Sequence, residues 1–586
     1  MYIENINLPK DIKKLSVEQL SVLAEEVRTA LIRKLSEHGG HIGPNLGMVE
    51  TTIALHYVFN SPIDKIVFDV SHQSYVHKML TGRMAAFLDP AKYDDVTGYT
   101  NPNESEHDFF TIGHTSTSVS LAMGLAKGRD LTGGKENIIA VIGDGSLSGG
   151  EALEGLNNAA MLGSNMIIIV NDNDQSIAEN HGGLYKGLKE LRDTNGESPD
   201  NIFKAMGLEY YYLGDGHDVS ALIKLFTSVK DIDRAVVLHI HTIKGKGLKY
   251  AEENKEYWHA GGPFHIEDGS PKGPGWPVNE TVRESVLDLI EKRSDVVAIT
   301  AGTPSVIGFT EDYRKRAGKQ FVDVGIAEEH AVAMASGIAR NGGTPIFGVF
   351  SPFLQRTYDQ LSSDLCLNNN PAVIMVFMAS VYGMNSNTHL GIYDIPMISH
   401  IPNLVYLAPT SKEEYLAMFK YATTQKAHPI AIRIPMMMPE TGIEDTTDYS
   451  LLNKYQVVRK GSSVAIIALG DFFELGVQIA DKYKILTGND VTLINPKFIT
   501  GIDEELLECL KTDHKLVLTL EDGIVEGGFG QTIASFYGLS DMKVKNYGIK
   551  KSFPTDFRPE ELMRENGLSV EKIVEDIKSV CREHVM

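Results

Sequence analysis

Short runs of β-branched and other apolar residues recur along the whole chain, separated by longer segments in which apolar positions follow helical spacing. The apolar runs lie at 138–142, 166–170, 236–240, 296–299, 372–376, 464–468 and 491–494. The segments with helical spacing include 16–36, 116–129, 328–339 and 412–423. Strands that are apolar on both faces and alternate with helices are typical of βαβ units in parallel sheets. The pattern therefore predicts an α/β fold throughout.

Breaks in this pattern predict the domain boundaries. A chain of 586 residues is too long for one hydrophobic core, and about 150 residues per domain gives three or four domains. A Gly- and Pro-rich, apolar-poor stretch at 260–275 has the composition of a linker, and Pro, Gly, Thr and acidic residues interrupt the strands near 436–449. We expect three α/β domains at 1–270, 271–440 and 441–586.

Charge and cysteine content narrow the function classes. With 55 basic and 77 acidic residues the formal charge is −22, which argues against nucleic acid as a main partner. Cys366, Cys509 and Cys581 are far apart and form no CxxC pair, as expected in a reducing compartment. The first residues lack a signal-peptide layout, and the longest apolar candidate, 372–384, is too short to cross a bilayer. We expect a soluble, cytoplasmic protein without a membrane partner that acts on small molecules.

Two polar triplets follow neighbouring apolar runs. Gly143-Asp144-Gly145 follows the run at 138–142, and Asn171-Asp172-Asn173 follows the run at 166–170. Open α/β sheets bind ligands at the carboxyl ends of their strands, and oxygen donors suit Mg²⁺. Asp144, Asn173 and the Gln175 carbonyl are therefore candidate ligands of a magnesium-diphosphate site. The segment 151–162 is predicted to be a helix whose N-terminus could receive a phosphate.

Each triplet taken alone could be a simple turn between elements. The occurrence of both triplets after neighbouring apolar runs favours the metal site. A P-loop nucleotide site is not favoured, because the Gly-Lys pairs are followed by Glu136, Gly247 and Gln320 rather than by Ser or Thr.

At this point the sequence resembles the 1-deoxy-D-xylulose-5-phosphate synthases, relatives of transketolase, over nearly its full length. The matching stretches are GHIGPNLG (40–47), DVSHQSYVHK (69–78), GHTSTS (113–118), DGHD (215–218), DVGIAEEH (323–330), FLQR (353–356) and EGGFG (526–530). The resemblance implies three doubly wound α/β domains of the transketolase-like type: a diphosphate-binding, a pyrimidine-binding and a C-terminal domain. It also implies thiamine diphosphate and Mg²⁺ as cofactors, and a homodimer with the active site between the first two domains of one chain.

The resemblance implies a role for each matching residue. In the family, a Glu bonded to the aminopyrimidine ring promotes removal of the coenzyme C2 proton, and Glu328 matches it. The implied catalytic residues are Glu328, His41, His72 and His389. The implied coenzyme-binding residues are His72, Gly113, His114, Thr115, Gly145, Ser146, Asn173, Ile177, Lys244, Glu328, Phe353 and Arg356, with His259 completing the site. The implied metal ligands are Asp144, Asn173 and Gln175.

Ordinary structural roles compete with these assignments. Glu328 could cap a helix or form a surface ion pair, and a histidine is more often structural than catalytic. Phe353, a candidate stacking partner for the pyrimidine, and Ile177, a candidate apolar support, could equally be core residues. The number of ordered family matches favours the functional reading.

The acceptor side departs from the family pattern. The family typically has an Asp-Arg-Ala-Gly stretch and a Tyr-Pro-Arg-Gly stretch, whose arginines help to hold the phosphate of glyceraldehyde 3-phosphate. Here Met378 and Met436 stand at the two Arg positions, and Phe350 replaces a Tyr. Methionine cannot form the charge-assisted hydrogen bonds of arginine. The loss of both arginines is therefore expected to weaken phosphate binding by about 10²–10⁴-fold. Arg356, Arg433 and Lys244 are candidates for compensation. The first domain is also shortened at 185–199.

We therefore predict a thiamine diphosphate-dependent transferase that decarboxylates pyruvate or a related 2-oxo acid and joins the two-carbon unit to an aldehyde. The aldehyde is glyceraldehyde 3-phosphate or a different acceptor. Alternatives are transketolase-type ketol transfer from a sugar, a non-catalytic protein of the same fold, and a pyruvate dehydrogenase-like subunit. Family membership also implies a role in isoprenoid and thiamine precursor synthesis.

Overall fold

The computed structural model describes residues 1–273 and 279–582, which fall into two compact units. Unit 1 contains residues 1–273 and Val324–Ala327, and unit 2 contains 279–323 and the described residues from 328 onward. Of the predicted linker, residues 274 and 275 lie outside the described part of the chain. Within residues 1–273 and 279–582, every helix is too short or too polar to span a bilayer.

Unit 1 is built on a parallel sheet of five strands in the order β2-β3-β4-β6-β5. A second, two-stranded antiparallel sheet pairs β1 with β7. The strands are β1 (Gly40–His41), β2 (Lys65–Phe68), β3 (Ile138–Gly143), β4 (Met166–Asp172), β5 (Glu209–Leu213), β6 (Ala235–His241) and β7 (Ala260–Gly261). The helices are α1 (Pro9–Ile12), α2 (Val17–His38), α3 (Gly43–Gly47), α4 (Val49–Val58), α5 (Tyr75–Lys78), α6 (Ala85–Leu88), α7 (Ser118–Thr132), α8 (Gly150–Ala159), α9 (Gly183–Asp193), α10 (Ile202–Ala205), α11 (Val219–Val229) and α12 (Lys249–Glu253).

Both faces of the five-stranded sheet are buried. Along β3, Ile138, Ala140 and Ile142 pack into one apolar core, while Ile139 and Val141 pack into another. Successive side chains of a strand point to opposite faces, so an unbroken apolar run is what a sheet covered on both sides requires. The carboxyl ends of β3 and β4 are thereby placed side by side, with Gly143 opposite Asn171.

Unit 2 contains two further sheets. One is fully parallel, in the order β12-β13-β11-β10-β8-β9, and the other has the order β14-β16-β15-β17-β18, with only β14 antiparallel. The strands are β8 (Val296–Thr300), β9 (Phe321–Asp323), β10 (Thr344–Phe350), β11 (Val373–Phe377), β12 (Val405–Leu407), β13 (Ile430–Arg433), β14 (Gln456–Arg459), β15 (Ser463–Ala468), β16 (Thr492–Asn495), β17 (His514–Ile524) and β18 (Lys543–Ile549). The helices are α13 (Glu280–Lys292), α14 (Glu311–Ala317), α15 (Glu328–Arg340), α16 (Ser351–Leu354), α17 (Asp394–Ile398), α18 (Lys412–Thr424), α19 (Phe473–Thr487), α20 (Glu504–Leu510), α21 (Phe529–Tyr537), α22 (Pro559–Glu565) and α23 (Val570–Arg582).

The predicted α/β class is confirmed, and every apolar run named above contains or overlaps a strand of one of the three large sheets. The four segments with helical spacing form α2, α7, α15 and α18. The predicted helix at 151–162 begins one residue earlier and ends three residues earlier, as α8.

Candidate active site

The three predicted metal ligands lie at the carboxyl ends of β3 and β4 in unit 1, a region that we call the metal edge. Asp144 Oδ2 accepts hydrogen bonds from the Gln175 backbone N–H at 3.1 Å and from Asn180 Nδ2 at 2.8 Å. Asn173 is buried, and its Oδ1 has no hydrogen-bond partner among the described residues. Burial, and secondly the charge of Asp172, raise the pKa of Asp144 to about 7.

These donors fit a divalent cation. The candidate ligands are the Asp144 carboxylate, the Asn173 amide oxygen, which has no hydrogen-bond partner in the described residues, and the main chain at Gln175. Oxygen atoms of these kinds are the ligands that Mg²⁺ prefers. A buried carboxylate with a raised pKa is also one whose ionised form a cation would stabilise. Nowhere in residues 1–273 and 279–582 do three His, Cys, Asp or Glu side chains form a metal-binding cluster, so the fit depends on this mixed set.

Asp172, the middle residue of the second triplet, has a structural role that the sequence does not reveal. Arg192 on α9 donates from Nη1 to both oxygens of Asp172, at 2.8 and 2.7 Å, and its Nη2 lies 2.8 Å from Asp174 Oδ1. His239 on β6 contacts Asp172 Oδ2 at 2.8 Å. Although burial acts to raise the pKa of Asp172, His239 and Arg192 hold it at about 2. The two acidic neighbours of Asn173 are thus fixed by one arginine.

Close to the metal edge, two glycines leave space that serine side chains occupy. A Cβ added to Gly149 would lie 2.1 Å from Ser116 Oγ, and one added to Gly145 would lie 2.9 Å from Ser176 Oγ. Ser116 has a positive φ of 75°, and its Oγ donates to the Ser146 carbonyl at 2.8 Å. Gly113, His114 and Thr115 precede it in the same loop, so these predicted coenzyme contacts lie on one connected segment. Ile177 is half-buried beside Gln175, whose Nε2 donates to the Ile177 carbonyl.

His41, His72 and His259 form a group of rings. The centroids of His41 and His72 are 5.1 Å apart, and those of His72 and His259 are 5.3 Å apart and stacked. Lys244 Nζ contacts His259 Nδ1 at 3.1 Å. Burial, and secondly the Lys244 charge, lower the pKa of His41 to about 4, while burial lowers the pKa of Lys244 to about 7. His41 is therefore neutral at physiological pH and can relay protons or form hydrogen bonds.

Asn45 fixes this group through the backbone. Its Nδ2 donates to the carbonyls of His41 at 2.8 Å and His72 at 2.7 Å, and its Oδ1 accepts from the Tyr75 N–H at 2.9 Å. Asn45 is fully buried. One amide side chain on α3 therefore joins β1 to the segment that runs from His72 into α5.

In unit 2, the predicted residues lie at the carboxyl edge of the six-stranded sheet. Glu328 begins α15 after β9, and it is 3% exposed with an Oε2 that lacks a hydrogen-bond partner in the described chain. Burial raises its pKa to about 7, and Arg356 Nη1, which lies 3.9 Å from Oε2, acts in the opposite direction. A carboxyl group with this pKa can share a proton with a ring nitrogen near neutral pH, so the site fits the aminopyrimidine role.

Aromatic residues lie along the same edge. Phe353, after β10, is half-buried, and its ring lies 5.5 Å from His389 and 6.0 Å from Phe350, edge-on in both cases. His389 is 8% exposed, and Thr388 Oγ1 contacts its Nδ1 at 2.8 Å. Met378 follows β11 and Met436 follows β13, and both are half-buried. We call the ends of β11 and β13 the acceptor edge.

One suggested compensation is wrong. Arg433 ends β13 and is 3% exposed, but its guanidinium donates to Asp394 and Asp522, both fully or almost fully buried. A fork already paired with two buried carboxylates cannot also bind a phosphate, so Arg433 does not replace the missing arginines.

Three family models and several full-length relatives match this chain. A family model described as 1-deoxy-D-xylulose-5-phosphate synthase matches residues 3–198 and 193–242, the transketolase pyrimidine-binding model matches 277–439, and the transketolase C-terminal model matches 453–573. Proteins named 1-deoxy-D-xylulose-5-phosphate synthase are 37% identical in Carboxydothermus hydrogenoformans, over 97% of this chain and 98% of that protein, and in Lachnoclostridium phytofermentans, over 100% and 99%. The chain belongs to the 1-deoxy-D-xylulose-5-phosphate synthase family.

Members of this synthase family are thiamine diphosphate-dependent transferases that use a divalent metal such as Mg²⁺, and this chain is an enzyme of that class. The transketolase-like fold agrees with the two transketolase family models. A transketolase structure from Campylobacter jejuni also aligns, with 17% identity, 96% of this chain, all of that chain and a TM-score of 0.42. The assignment to the synthase family rests on the family models and the full-length relatives.

Sequence reasoning missed several residues that contact the candidate site residues. Asn45 lies inside the motif GHIGPNLG, but an asparagine there could equally be a turn residue, and the sequence does not show that its side chain is buried and binds other segments. Arg192 lies in the shortened segment 185–199, which has no motif, and only the fold brings it to Asp172. Asn180 could have been noticed as an amide close after the second triplet.

Proposed function

We propose that this enzyme decarboxylates pyruvate or a closely related 2-oxo acid and transfers the two-carbon unit to a short aldehyde. The main support is Glu328, a buried carboxyl group with one oxygen lacking a hydrogen-bond partner in the described chain and a pKa of about 7. The relatives are named for a product of this reaction type. Transketolase-type transfer from a sugar donor has no observation in its favour beyond the shared fold.

When bound, thiamine diphosphate supplies a carbon nucleophile and an electron sink for the decarboxylation. Asp144, Asn173 and the Gln175 carbonyl are proposed to hold Mg²⁺, and Gly113, His114, Thr115, Gly145 and Ser146 to approach the diphosphate. Glu328 is proposed to share a proton with the ring nitrogen, with Phe353 stacking on the ring and Ile177 supporting it. Arg356, beside Glu328, is proposed to balance its charge when it is ionised.

The remaining residues are proposed to act on the substrate. His41 is neutral at physiological pH, so it can donate a hydrogen bond to a developing oxyanion or relay a proton. His72 and His259 lie within 6 Å of it between ring centroids, and Lys244 contacts His259. His389 is proposed to play a similar part on the unit 2 side, and Lys244 to bind an anionic group of the coenzyme.

We also propose the three-domain division at 1–270, 271–440 and 441–586, a homodimer as the active form, and the cytoplasm as the place of action. The three family models support the division because their matches meet close to the proposed boundaries. The free state of Cys366, Cys509 and Cys581 agrees with a reducing compartment. Sedimentation analysis of the purified protein tests the homodimer.

The test of the reaction is a coupled measurement on one preparation. Calorimetry should show thiamine diphosphate binding that depends on Mg²⁺, and carbon dioxide release from pyruvate should require an added aldehyde acceptor or be accelerated by it. Binding without carbon dioxide release from any 2-oxo acid would show that the chain is not a synthase of this kind. Ketol transfer from a sugar phosphate without pyruvate would favour the transketolase alternative.

A further inference from the structure

The turn after β2 has a strained backbone immediately before His72. Val70 has a φ of 56° and Ser71 a φ of 64°, so two successive residues other than glycine adopt the left-handed conformation. This conformation brings a Cβ too close to the backbone, and it is least favourable for β-branched residues. Among the described residues, Val70 is the only β-branched one with a positive φ. We call Asp69, Val70 and Ser71 the strained turn.

Asp69 joins the strained turn to the loop at 113–118, which carries three candidate coenzyme contacts. Asp69 is fully buried, and its Oδ1 accepts from the Ser116 N–H at 2.8 Å while its Oδ2 accepts from the Ser118 N–H at 2.9 Å. Ser118 begins α7, so the carboxylate also lies at the positive end of that helix dipole. Ser116 has a φ of 75°, so the strain continues in the second loop. One carboxylate therefore fixes both loops relative to each other.

Ser71 holds the same turn against a further segment of unit 1. Its Oγ donates to the Ile112 carbonyl at 2.8 Å and accepts from the Thr100 N–H at 2.9 Å. Its own carbonyl accepts from Ser74 Oγ at 2.6 Å. Ser71 is fully buried, and Ile112 directly precedes the loop at 113–118. The left-handed backbone is thus enforced by contacts with the same loop that Asp69 binds.

A valine is not needed to reach this conformation. Glycine adopts a positive φ without a steric cost, whereas Val70 adopts it only because the contacts on either side enforce it. A β-branched residue has few conformations open to it, so the backbone before His72 has little freedom once it is held there. On the other side, the His72 carbonyl accepts from Asn45 Nδ2 at 2.7 Å. Strain that is maintained in this way is typical of functional sites.

Resting on the proposed function, we infer that the strained turn sets His72 against the coenzyme-binding loop at 113–118. Asp69 and Val70 are positioning residues for the reaction. Asp69 fixes the two loops relative to each other, and Val70 limits the backbone before His72 to one conformation. Because this placement costs folding stability, replacing Val70 should change stability and activity in opposite directions.

Val70→Gly separates positioning from a merely structural role. Glycine relieves the strain, so the variant should melt at or above the temperature of the parent. The turn gains freedom, and kcat for carbon dioxide release should fall by about 10–100-fold, since displacement of a reacting group by about 1 Å has an effect of this order. The KM for pyruvate should stay within about twofold. Ser463→Gly, at an exposed residue of β15 with a φ of 66°, is the matched control and should retain kcat.

Two results with Val70→Gly would overturn the inference. A parental kcat would show that the strained conformation has no part in the reaction. A lower melting temperature together with lost activity would show that Val70 acts through packing alone.

A second variant gives a readout that needs no turnover. In Asp69→Asn, the amide offers one oxygen in place of two, so one of the two N–H groups loses its acceptor. Amide hydrogen exchange of the coenzyme-free protein should become faster in the loop at 113–118. Calorimetry in the presence of Mg²⁺ should show thiamine diphosphate binding weakened about tenfold, because the loop is no longer pre-organised. Asp89→Asn, which alters an exposed carboxylate that accepts from the Ala91 N–H, should change neither.

Parental exchange and parental coenzyme binding in a folded Asp69→Asn variant would overturn the inference. If Asp69→Asn does not fold, Val70→Gly alone decides. A parent that releases no carbon dioxide from any 2-oxo acid would instead refute the proposed reaction, while hydrogen exchange and coenzyme binding would still decide whether the strained turn positions the loop.

Discussion

The metal edge of unit 1 and the acceptor edge of unit 2 both contain an arginine paired with two carboxylates, but the pairs leave different neighbouring atoms without hydrogen bonds. Arg192 binds Asp172 and Asp174, and the residue between them, Asn173, keeps an oxygen without a hydrogen-bond partner in the described structure. Arg433 binds Asp394 and Asp522, and Asp471 accepts hydrogen bonds from the backbone N–H groups of Met436 and Met437 in the loop that follows. The first arrangement leaves an amide oxygen without a hydrogen bond, whereas in the second the backbone donors next to the arginine are already occupied. An ion pair near a strand end therefore indicates a binding site only when a neighbouring polar group is left without a hydrogen bond.

Glu328 of unit 2 resembles Asn173 in having a buried oxygen without a hydrogen-bond partner in the described residues. Its replacement should have the largest effect on activity. Glu328→Gln keeps the shape of the side chain but cannot give or take a proton. We expect kcat for carbon dioxide release to fall by about 10²–10⁴-fold, with coenzyme affinity changed much less. Glu329→Gln, at the adjacent half-buried residue, is the control and should retain activity. Equal activity of the two variants would remove Glu328 from the mechanism.

The same residue predicts a pH dependence of stability. Because burial raises the pKa of Glu328 from 4.5 to about 7, the folded state favours the protonated form. The stabilisation is fully present below pH 4.5 and is lost as the pH rises through about 7, which amounts to roughly 2–3 kcal/mol between pH 5 and pH 8. Thermal unfolding of the coenzyme-free proteins should therefore show the parent losing stability relative to Glu328→Gln over this interval. Parallel melting temperatures at the two pH values would contradict the assignment.

Arg192→Met tests the metal edge. The variant leaves the buried Asp172 with His239 and the Asp174 backbone N–H as its remaining partners and removes the ion pair of Asp174. Removal of a group that orients metal ligands typically lowers metal affinity by about 10–100-fold, and we expect that loss for Mg²⁺ in calorimetric titrations with thiamine diphosphate present. Lys189→Met, on the same helix but 64% exposed in its side chain, is the matched control. If both variants bind Mg²⁺ like the parent, the comparison of the two arginines fails.

Asn45→Ala should have the smallest effect of the four. Three hydrogen bonds disappear, and the part-buried carbonyls of His41 and His72 each lose a donor, at a cost of about 1–2 kcal/mol. We expect a lower melting temperature and a modest decrease in kcat, with coenzyme affinity preserved. Asn158→Ala, which removes an exposed side chain bonded only within its own helix, should change neither.

The sequence predicted the fold well because the information is local. Apolar runs such as 138–142 specify strands that are covered on both faces. At the start of α2, Ser16 and Gln19 make the reciprocal hydrogen bonds that are typical of a helix N-terminus. Candidate site residues could be named where residue type and motif coincide, as for Asp144, Asn173 and Glu328, and the structure shows each of them buried. The side chains that hold these candidates in place could not be named, because they come from distant parts of the sequence. Arg433 looked available because Asp394 and Asp522, 39 and 89 residues away, become its neighbours only in the folded chain.

The ion pairs of Arg433 have a consequence for the stability of unit 2. Asp394 begins α17, Arg433 ends β13 and Asp522 lies on β17, so these pairs join three segments that are far apart in the sequence. Removing one partner of a buried ion pair leaves an uncompensated charge, which is strongly destabilising. The mutual packing of the three segments therefore depends on a single guanidinium, and a replacement at 433 would weaken all of them together rather than one loop.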